Sequence, residues 1–202
     1  MQDTAERKPP RDYAPALRSL LKAALVLVAL ALSAHWAWRQ PFMAKPRALW
    51  ELSRMPPPSA LAMPVQGVDA TRIADTFGAP RGRDRTHAGV DIFAARGTPV
   101  RSATRGVVVA VREGGLGGRQ VWVLGPARQR HYYAHLDDWA DGLQVGDVVL
   151  PGDALGVVGD TGNARDTPPH LHYGLYGTGG AIDPLPLLRA GAENAHAASP
   201  AR

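Results

Sequence analysis

Hydrophobic and polar positions divide the chain into segments of different texture. From Leu20 to Trp38 the run LLKAALVLVALALSAHWAW is apolar on all faces, without an amphipathic period. This predicts one long helix suited to an apolar medium rather than a soluble core helix. Its uninterrupted part, Ala23 to Trp38, would cover roughly 24 Å of a ~30 Å hydrocarbon core. Lys22 can snorkel at one end, and Trp36 and Trp38 fit an aromatic belt at the other. The expectation is a transmembrane anchor over residues 20–38. The alternative is a cleaved signal peptide, with a small-x-small site at Ala31-Leu32-Ser33. Residues 1–19 are polar and read as a disordered cytoplasmic tail. Residues 39–63 include Pro41, Pro46 and Pro56-Pro57-Pro58, which predict an extended, semi-rigid linker. Within it Leu49, Trp50 and Leu52 either form a short helix or dock on the following domain.

From about Met63 the pattern changes to short β-like runs punctuated by turns. Val107 to Val111 and Val121 to Leu124 are strands, and Gly114 to Gly118 between them is a long hairpin loop. Arg130 to Leu136, Val145 to Val149 and Leu155 to Val158 are further strands. No run here has a helical period. The expected fold is therefore an all-β, antiparallel domain over residues 64–188. The tail, residues 189–202, is low in hydrophobic bulk and reads as disordered.

Composition changes this picture little. The 22 Gly and 18 Pro among 202 residues suit a turn-rich β domain. Cysteine is absent, so disulfides and Cys-based zinc sites are excluded, and any metal must be held by His, Asp or Glu. The net charge of +5 raises the question of nucleic acid. Residues 1–63 carry nine Lys/Arg against four Asp/Glu, whereas residues 64–188 carry twelve against thirteen. The basic excess thus lies beside the apolar segment and reads as a topology signal, not a nucleic-acid face. Arg7, Lys8, Arg11, Arg18 and Lys22 place the N-terminus in the cytoplasm and the β domain outside it.

Candidate chemistry centres on Pro169-His170-Leu171-His172. In a strand, residues two apart share a face, so His170 and His172 present two imidazoles side by side while Leu171 turns away. A bound metal is one way to satisfy paired imidazoles; an exposed His-x-His is the plain alternative. A second cluster is His87-Ala88-Gly89-Val90-Asp91. Fully extended, His87 and Asp91 would lie ~13 Å apart, too far to share one ion, so the chain must turn, as Gly89 permits. A catalytic zinc site needs three His/Asp/Glu ligands and an open position. His87, Asp91 and one histidine of the 170/172 pair supply that number. His135, in Tyr133-Ala134-His135-Leu136, could add a non-ligand imidazole for proton transfer. His131, four residues before it on the same strand, shares its face but lies ~13 Å away.

The pattern HAGVD, YYAHL and HLHY resembles the zinc metallopeptidases of peptidase family M23, the lysostaphin/LytM type, over roughly residues 76–186. Gly97-Thr98-Pro99-Val100, Val145-Gly146-Asp147 and Gly156 to Gly162 agree with it. The resemblance implies an all-β, two-sheet LytM-type domain (a duplicated hybrid motif) that cuts peptide bonds in bacterial peptidoglycan. By motif, it implies His87, Asp91 and His172 as ligands of one zinc ion, with His135 and His170 as the catalytic pair. The anchor and its flanking charges, rather than the resemblance, suggest the periplasmic side of the inner membrane, with secretion to the periplasm as the alternative. Two departures from the family pattern lie near the expected substrate groove. The segment Asn163 to Pro169 is bulkier than the usual Ser/Thr-Gly stretch, and Gly174 stands where an acidic residue is common. The alternative function is a non-catalytic peptidoglycan-binding or hydrolase-activating module, which usually lacks the full ligand set. Asp160-Thr161-Gly162 reads as a turn, because an aspartic peptidase would need a second such carboxylate. A biotinyl or lipoyl carrier is excluded, because the last lysine is Lys45.

Overall fold

The computed structural model describes residues 14–81 and 84–198. They belong to two compact units, one ending at Ala44 and the other starting at Lys45.

The first unit contains α1, Ala14–Trp38, a helix of 25 residues. At ~1.5 Å per residue it is ~37 Å long. Leu17–Trp38 is long and apolar enough to cross a membrane, and none of that window is buried. The helix starts before the uninterrupted apolar run, with Pro15 in its first turn, where a missing N–H costs nothing. This makes up the shortfall in the ~24 Å expected from Ala23 to Trp38 alone. It also removes Ala14 to Ser19 from the expected disordered tail. The rest of that tail lies outside the described residues.

The boundary between the units falls after the first residue of α2, Ala44–Arg54, and the rest of this helix belongs to the second unit. Ala48 and Leu52, four apart on one face, are buried against Val107. Glu51 on the same helix pairs with Arg105. Beyond the three prolines, the N–H of buried Leu61 donates to the Leu187 carbonyl at 2.9 Å. Residues 45–63 are thus a packed part of the domain, which corrects the expectation of a spacer. The prolines straighten the chain, but Leu52 and Leu61 anchor it.

The strands are β1 (Val90–Phe93), β2 (Pro99–Arg101), β3 (Gly106–Glu113), β4 (Arg119–Leu124), β5 (Arg130–Trp139), β6 (Val148–Val149), β7 (Ala154–Val158), β8 (His170–Gly177) and β9 (Gly180–Ile182). The main sheet has the order β1-β8-β5-β4-β3-β6, and its pairs are antiparallel. The two sheets expected are one hydrogen-bonded network that branches at β5. Arg130 to Leu136 pair with β4 and Arg130 to Ala134 with β8, whereas Leu136 to Trp139 pair with β7, with a register shift between Leu136 and Asp138. Strand β7 in turn carries β2, and β8 carries β9.

The chain then enters α3, Leu185–Ala198. This corrects the expectation of a disordered tail and adds a helix after the antiparallel β domain. The Asp183 carboxylate accepts the Leu185 N–H at 2.9 Å and caps the helix. Leu185 and Leu188 are buried in the core, and the alanine-rich turns that follow have high helix propensity. A Cβ on Gly191 would lie 1.9 Å from the Leu61 carbonyl oxygen, so this glycine lets α3 rest on the proline-rich stretch.

One face of the main sheet is the core. Val90, Ile92, Leu171, Tyr173, Leu175, Tyr133, Val121 and Val123 are all buried on it. The opposite face, with Asp91 across from His172 and Tyr132 across from Trp122, is left to do chemistry.

Candidate metal centre

Strands β1 and β8 place Asp91 opposite His172 and Phe93 opposite His170. Leu171 between the histidines is fully buried, as strand alternation requires. Gly89 has a different purpose from the turn expected of it. A Cβ there would lie 2.4 Å from the Tyr173 carbonyl oxygen, so glycine is needed for close approach to β8. His87 precedes β1 and is bonded elsewhere. Its N–H donates to the Ala79 carbonyl and its own carbonyl accepts from Gly78, both at 2.8 Å. The chain has left the strand axis, so the extended spacing no longer separates His87 from Asp91.

The protons show what the cluster requires. His87 Nδ1 lies 2.9 Å from the Thr76 carbonyl oxygen, which can only accept. The same Nδ1 is 3.2 Å from the Arg81 guanidinium, which can only donate. In a neutral ring whose proton points at the Thr76 carbonyl, Nε2 is bare. Bare Nε2 is 3.1 Å from Asp91 Oδ1 and 3.0 Å from His172 Nδ1, which is itself 3.0 Å from that same oxygen. In that arrangement His172 Nδ1 is the one atom of the three left to carry a proton. One proton cannot satisfy three contacts between acceptors, whereas a cation among them can. Two imidazole nitrogens and one carboxylate oxygen form a donor set that zinc accepts. Separations near 3 Å suit atoms held ~2.0–2.2 Å from one ion. Among the described residues, His87, Asp91 and His172 are the group that could hold a metal.

The Arg81 guanidinium contacts the other Asp91 oxygen, Oδ2. Burial raises the Asp91 pKa, but contacts with His172, His87 and Arg81 outweigh it and hold the carboxyl well below the usual range. Burial pushes the His172 imidazole down.

His170 and His135 stand beside this triangle. His170 Nε2 is 4.0 Å from Asp91 Oδ1, and its Nδ1 donates to the Pro168 carbonyl at 2.8 Å. His135 Nδ1 donates to the Thr161 carbonyl, also at 2.8 Å. In a neutral ring so bonded, Nε2 is bare. The two rings are 5.1 Å apart and line, with the triangle, a groove of about 430 Å³. Burial lowers the His135 pKa to about 4, so the ring is neutral at pH 7.

Strand alternation fails at His135. Its φ is +64°, left-handed, at the point where β5 leaves one partner strand for another. The ring therefore joins Ala134 and Tyr132 in lining the groove. His131, expected on the same face, faces the core instead, with its Nδ1 2.7 Å from the Tyr173 hydroxyl.

The groove also contains residues that sequence reasoning missed. Arg81 is six residues before His87, a spacing with neither helical nor strand meaning. An isolated bridge between Pro80 and Thr86 folds it back. Tyr132 and Tyr176 line the groove as well, beside Asn163 and Thr167 of the bulky loop that was expected near it. A Cβ on Gly174 would lie 2.9 Å from the Tyr176 ring, so the absent acidic side chain leaves room for a phenol. Strand period alone could have placed Tyr132 and Tyr176 on this face.

Residues 85–184 match the family model of peptidase family M23. The chain is 40% identical over 126 residues to the L-Ala--D-Glu endopeptidase of Bacillus subtilis, covering 57% of this chain and 39% of that protein. It is 36% identical over 101 residues to a DD-carboxypeptidase/endopeptidase of Neisseria meningitidis serogroup B, covering 50% of this chain and 22% of the other. The chain thus spans less than half the length of these curated relatives. The catalytic domain of the antimicrobial peptidase lysostaphin from Staphylococcus simulans superposes with a TM-score of 0.52 at 32% identity. That match covers 58% of this chain and 92% of the domain.

Proposed function

The chain belongs to peptidase family M23, and from that premise we propose that it is a zinc-dependent endopeptidase acting on bacterial peptidoglycan. The observation that carries this reading is the convergence of His87 Nε2, Asp91 Oδ1 and His172 Nδ1 within 3.0–3.1 Å of one another. These three residues would hold one zinc ion. When bound, zinc would supply Lewis acidity, lowering the pKa of water and polarising a peptide carbonyl. His135 and His170 are the proposed proton carriers. Each has its Nδ1 tied to a carbonyl, which leaves Nε2 for proton transfer, and neutral His135 can accept a proton there at pH 7. An imidazolium formed in this way can stabilise developing negative charge on the substrate. Arg81 would keep Asp91 ionised and oriented. Helix α1 is the proposed membrane anchor, with the β domain on the periplasmic side.

The test uses the full-length chain in detergent, loaded with zinc, on purified sacculi, with released fragments read by mass spectrometry. Release by the wild type, but not by His87→Ala or after chelation, supports the peptidase and identifies the bond. Tight binding to sacculi without release would point to the binding module instead.

A further inference from the structure

Asp160-Thr161-Gly162 reads in the sequence as a turn without chemistry, yet it makes more contacts than a turn needs. The Thr161 carbonyl accepts the Nδ1–H of His135 at 2.8 Å. The Thr161 hydroxyl donates to the Leu136 carbonyl at 2.8 Å and accepts the Arg119 N–H at 2.9 Å. One side chain therefore ties the connection between β7 and β8 to both β4 and β5.

The surroundings lock the same point. Gly118 and Gly162 are both left-handed, with φ of +60° and +71°. A Cβ on Gly118 would lie 2.4 Å from Thr161 Oγ1 and from Gly162 N, and one on Gly162 would lie 2.3 Å from the Leu116 carbonyl oxygen. The two loops are in backbone contact, and neither residue can be enlarged. The Asn163 N–H donates to the Leu116 carbonyl at 3.0 Å, and the His135 N–H to the Gly117 carbonyl at 2.9 Å. Outside the knot, the Arg96 guanidinium bridges Asp137 and Asp160.

His170 is held by the other end of this connection, through the Pro168 carbonyl at Nδ1 and the Gly159 carbonyl at its N–H. One segment, residues 159–169, thus sets the tautomer of both groove imidazoles. His135 depends on it more. A left-handed residue without a glycine's freedom persists only where its surroundings hold it. Relaxed to ordinary strand geometry, His135 would turn toward the face of His131.

We propose that Thr161 is a positioning residue. Its hydroxyl clamps the connection so that its carbonyl holds His135 as the Nδ1–H tautomer, with Nε2 open to the groove. The proposal rests on the peptidase reading, because that reading gives His135 its role in turnover. Thr161→Val keeps the shape and removes both hydroxyl bonds, whereas Thr161→Ser keeps them.

The experiment uses the full-length, zinc-loaded chain in detergent. It measures zinc content, kcat and KM on soluble muropeptides, and ¹⁵N imidazole shifts, which distinguish the tautomers. Thr161→Val should retain zinc, keep KM within about twofold and lose kcat on the order of 100-fold, as misplacement of a reacting group does. Its His135 should populate both tautomers, and Thr161→Ser should restore both signals. An unchanged kcat and tautomer in Thr161→Val would overturn the proposal. So would loss of zinc together with activity, which is the mark of general damage. Should Thr161→Val fail to fold, the wild-type spectrum still decides, since an Nε2–H tautomer at His135 refutes the clamp. A wild type with the expected tautomer but no activity on any muropeptide would refute the peptidase reading and leave the clamp standing.

Discussion

Replacing Gly89 with alanine puts a methyl group where the backbone of β8 already lies. Its Cβ would be 2.4 Å from the Tyr173 carbonyl oxygen, 2.9 Å from the carbonyl carbon and 3.0 Å from Gly174 Cα. All three are backbone atoms of a paired strand, so no rotamer change relieves the contact. Ordinary contact begins at 3.4 Å, so β1 and β8 must part by about 1 Å. Asp91 is two residues along β1, opposite His172. Metal sites tolerate displacements of about 0.2 Å. Moving an outer partner of a metal ligand costs 10–100-fold in affinity, and here a ligand itself moves. Zinc binding should therefore weaken by about 100-fold or more, roughly 2.7 kcal/mol. The metal-free protein should lose about 1–3 kcal/mol from overpacking. Competition with a chromophoric chelator measures the first effect, and guanidinium denaturation in excess chelator measures the second. Gly179→Ala is the control, because nothing lies within 4 Å of a Cβ there. Wild-type zinc affinity in Gly89→Ala would refute the idea that strand proximity sets the ligand triangle.

Arg81→Gln removes the guanidinium from Asp91 Oδ2 and should weaken zinc binding about 10–100-fold in the same competition assay. Unchanged affinity would mean that the carboxylate orients itself. Leu171→Ala empties a fully buried site directly behind the two histidines and should cost about 2–5 kcal/mol, read as a lower denaturation midpoint at constant slope. A loss below 1 kcal/mol would mean that the core closes over the gap. Burial lowers the His131 pKa from 6.5 to about 3, so between those values the unfolded chain binds this proton and the fold does not. Stability from this group is complete above pH 6.5 and falls as the pH drops toward 3, by about 1.4 kcal/mol per unit at most. In chelator, His131→Leu should flatten the stability profile across that window, and superimposable profiles would remove His131 as a cause.

Much of the site is legible in residue order because it depends on local period. The strand period of two puts His170 and His172 on one face and Leu171 on the other, whatever the rest of the chain does. The hairpin of β3 and β4 follows from two Val-rich runs around Gly114 to Gly118. The apolar run of α1 is equally local, although its true start required the helix itself. The tail that forms α3 misled because its alanines bury little. Its two core leucines, its Asp183 cap and the fit of Gly191 against Leu61 together make it a helix. The proline-rich stretch misled for a similar reason, since a few of its apolar residues, Ala48, Leu52 and Leu61, are buried and tie it to the domain.

Tertiary structure alone decided the remainder. No local signal tells a histidine to take a left-handed backbone, and the same residue in an unbranched strand would face the core. His135 reaches the groove because β5 changes partners there and the Thr161 and Gly117 carbonyls hold it. Arg81 meets Asp91, and His87 meets His172, because a short fold-back and a glycine-permitted strand contact bring distant residues together. The sequence by itself determined which side chains could bind a metal and which face most of them occupy, because alternation is a property of each strand. Which atoms converge within 3 Å, and where the protons must lie, depended on contacts between strands, which residue order does not encode locally.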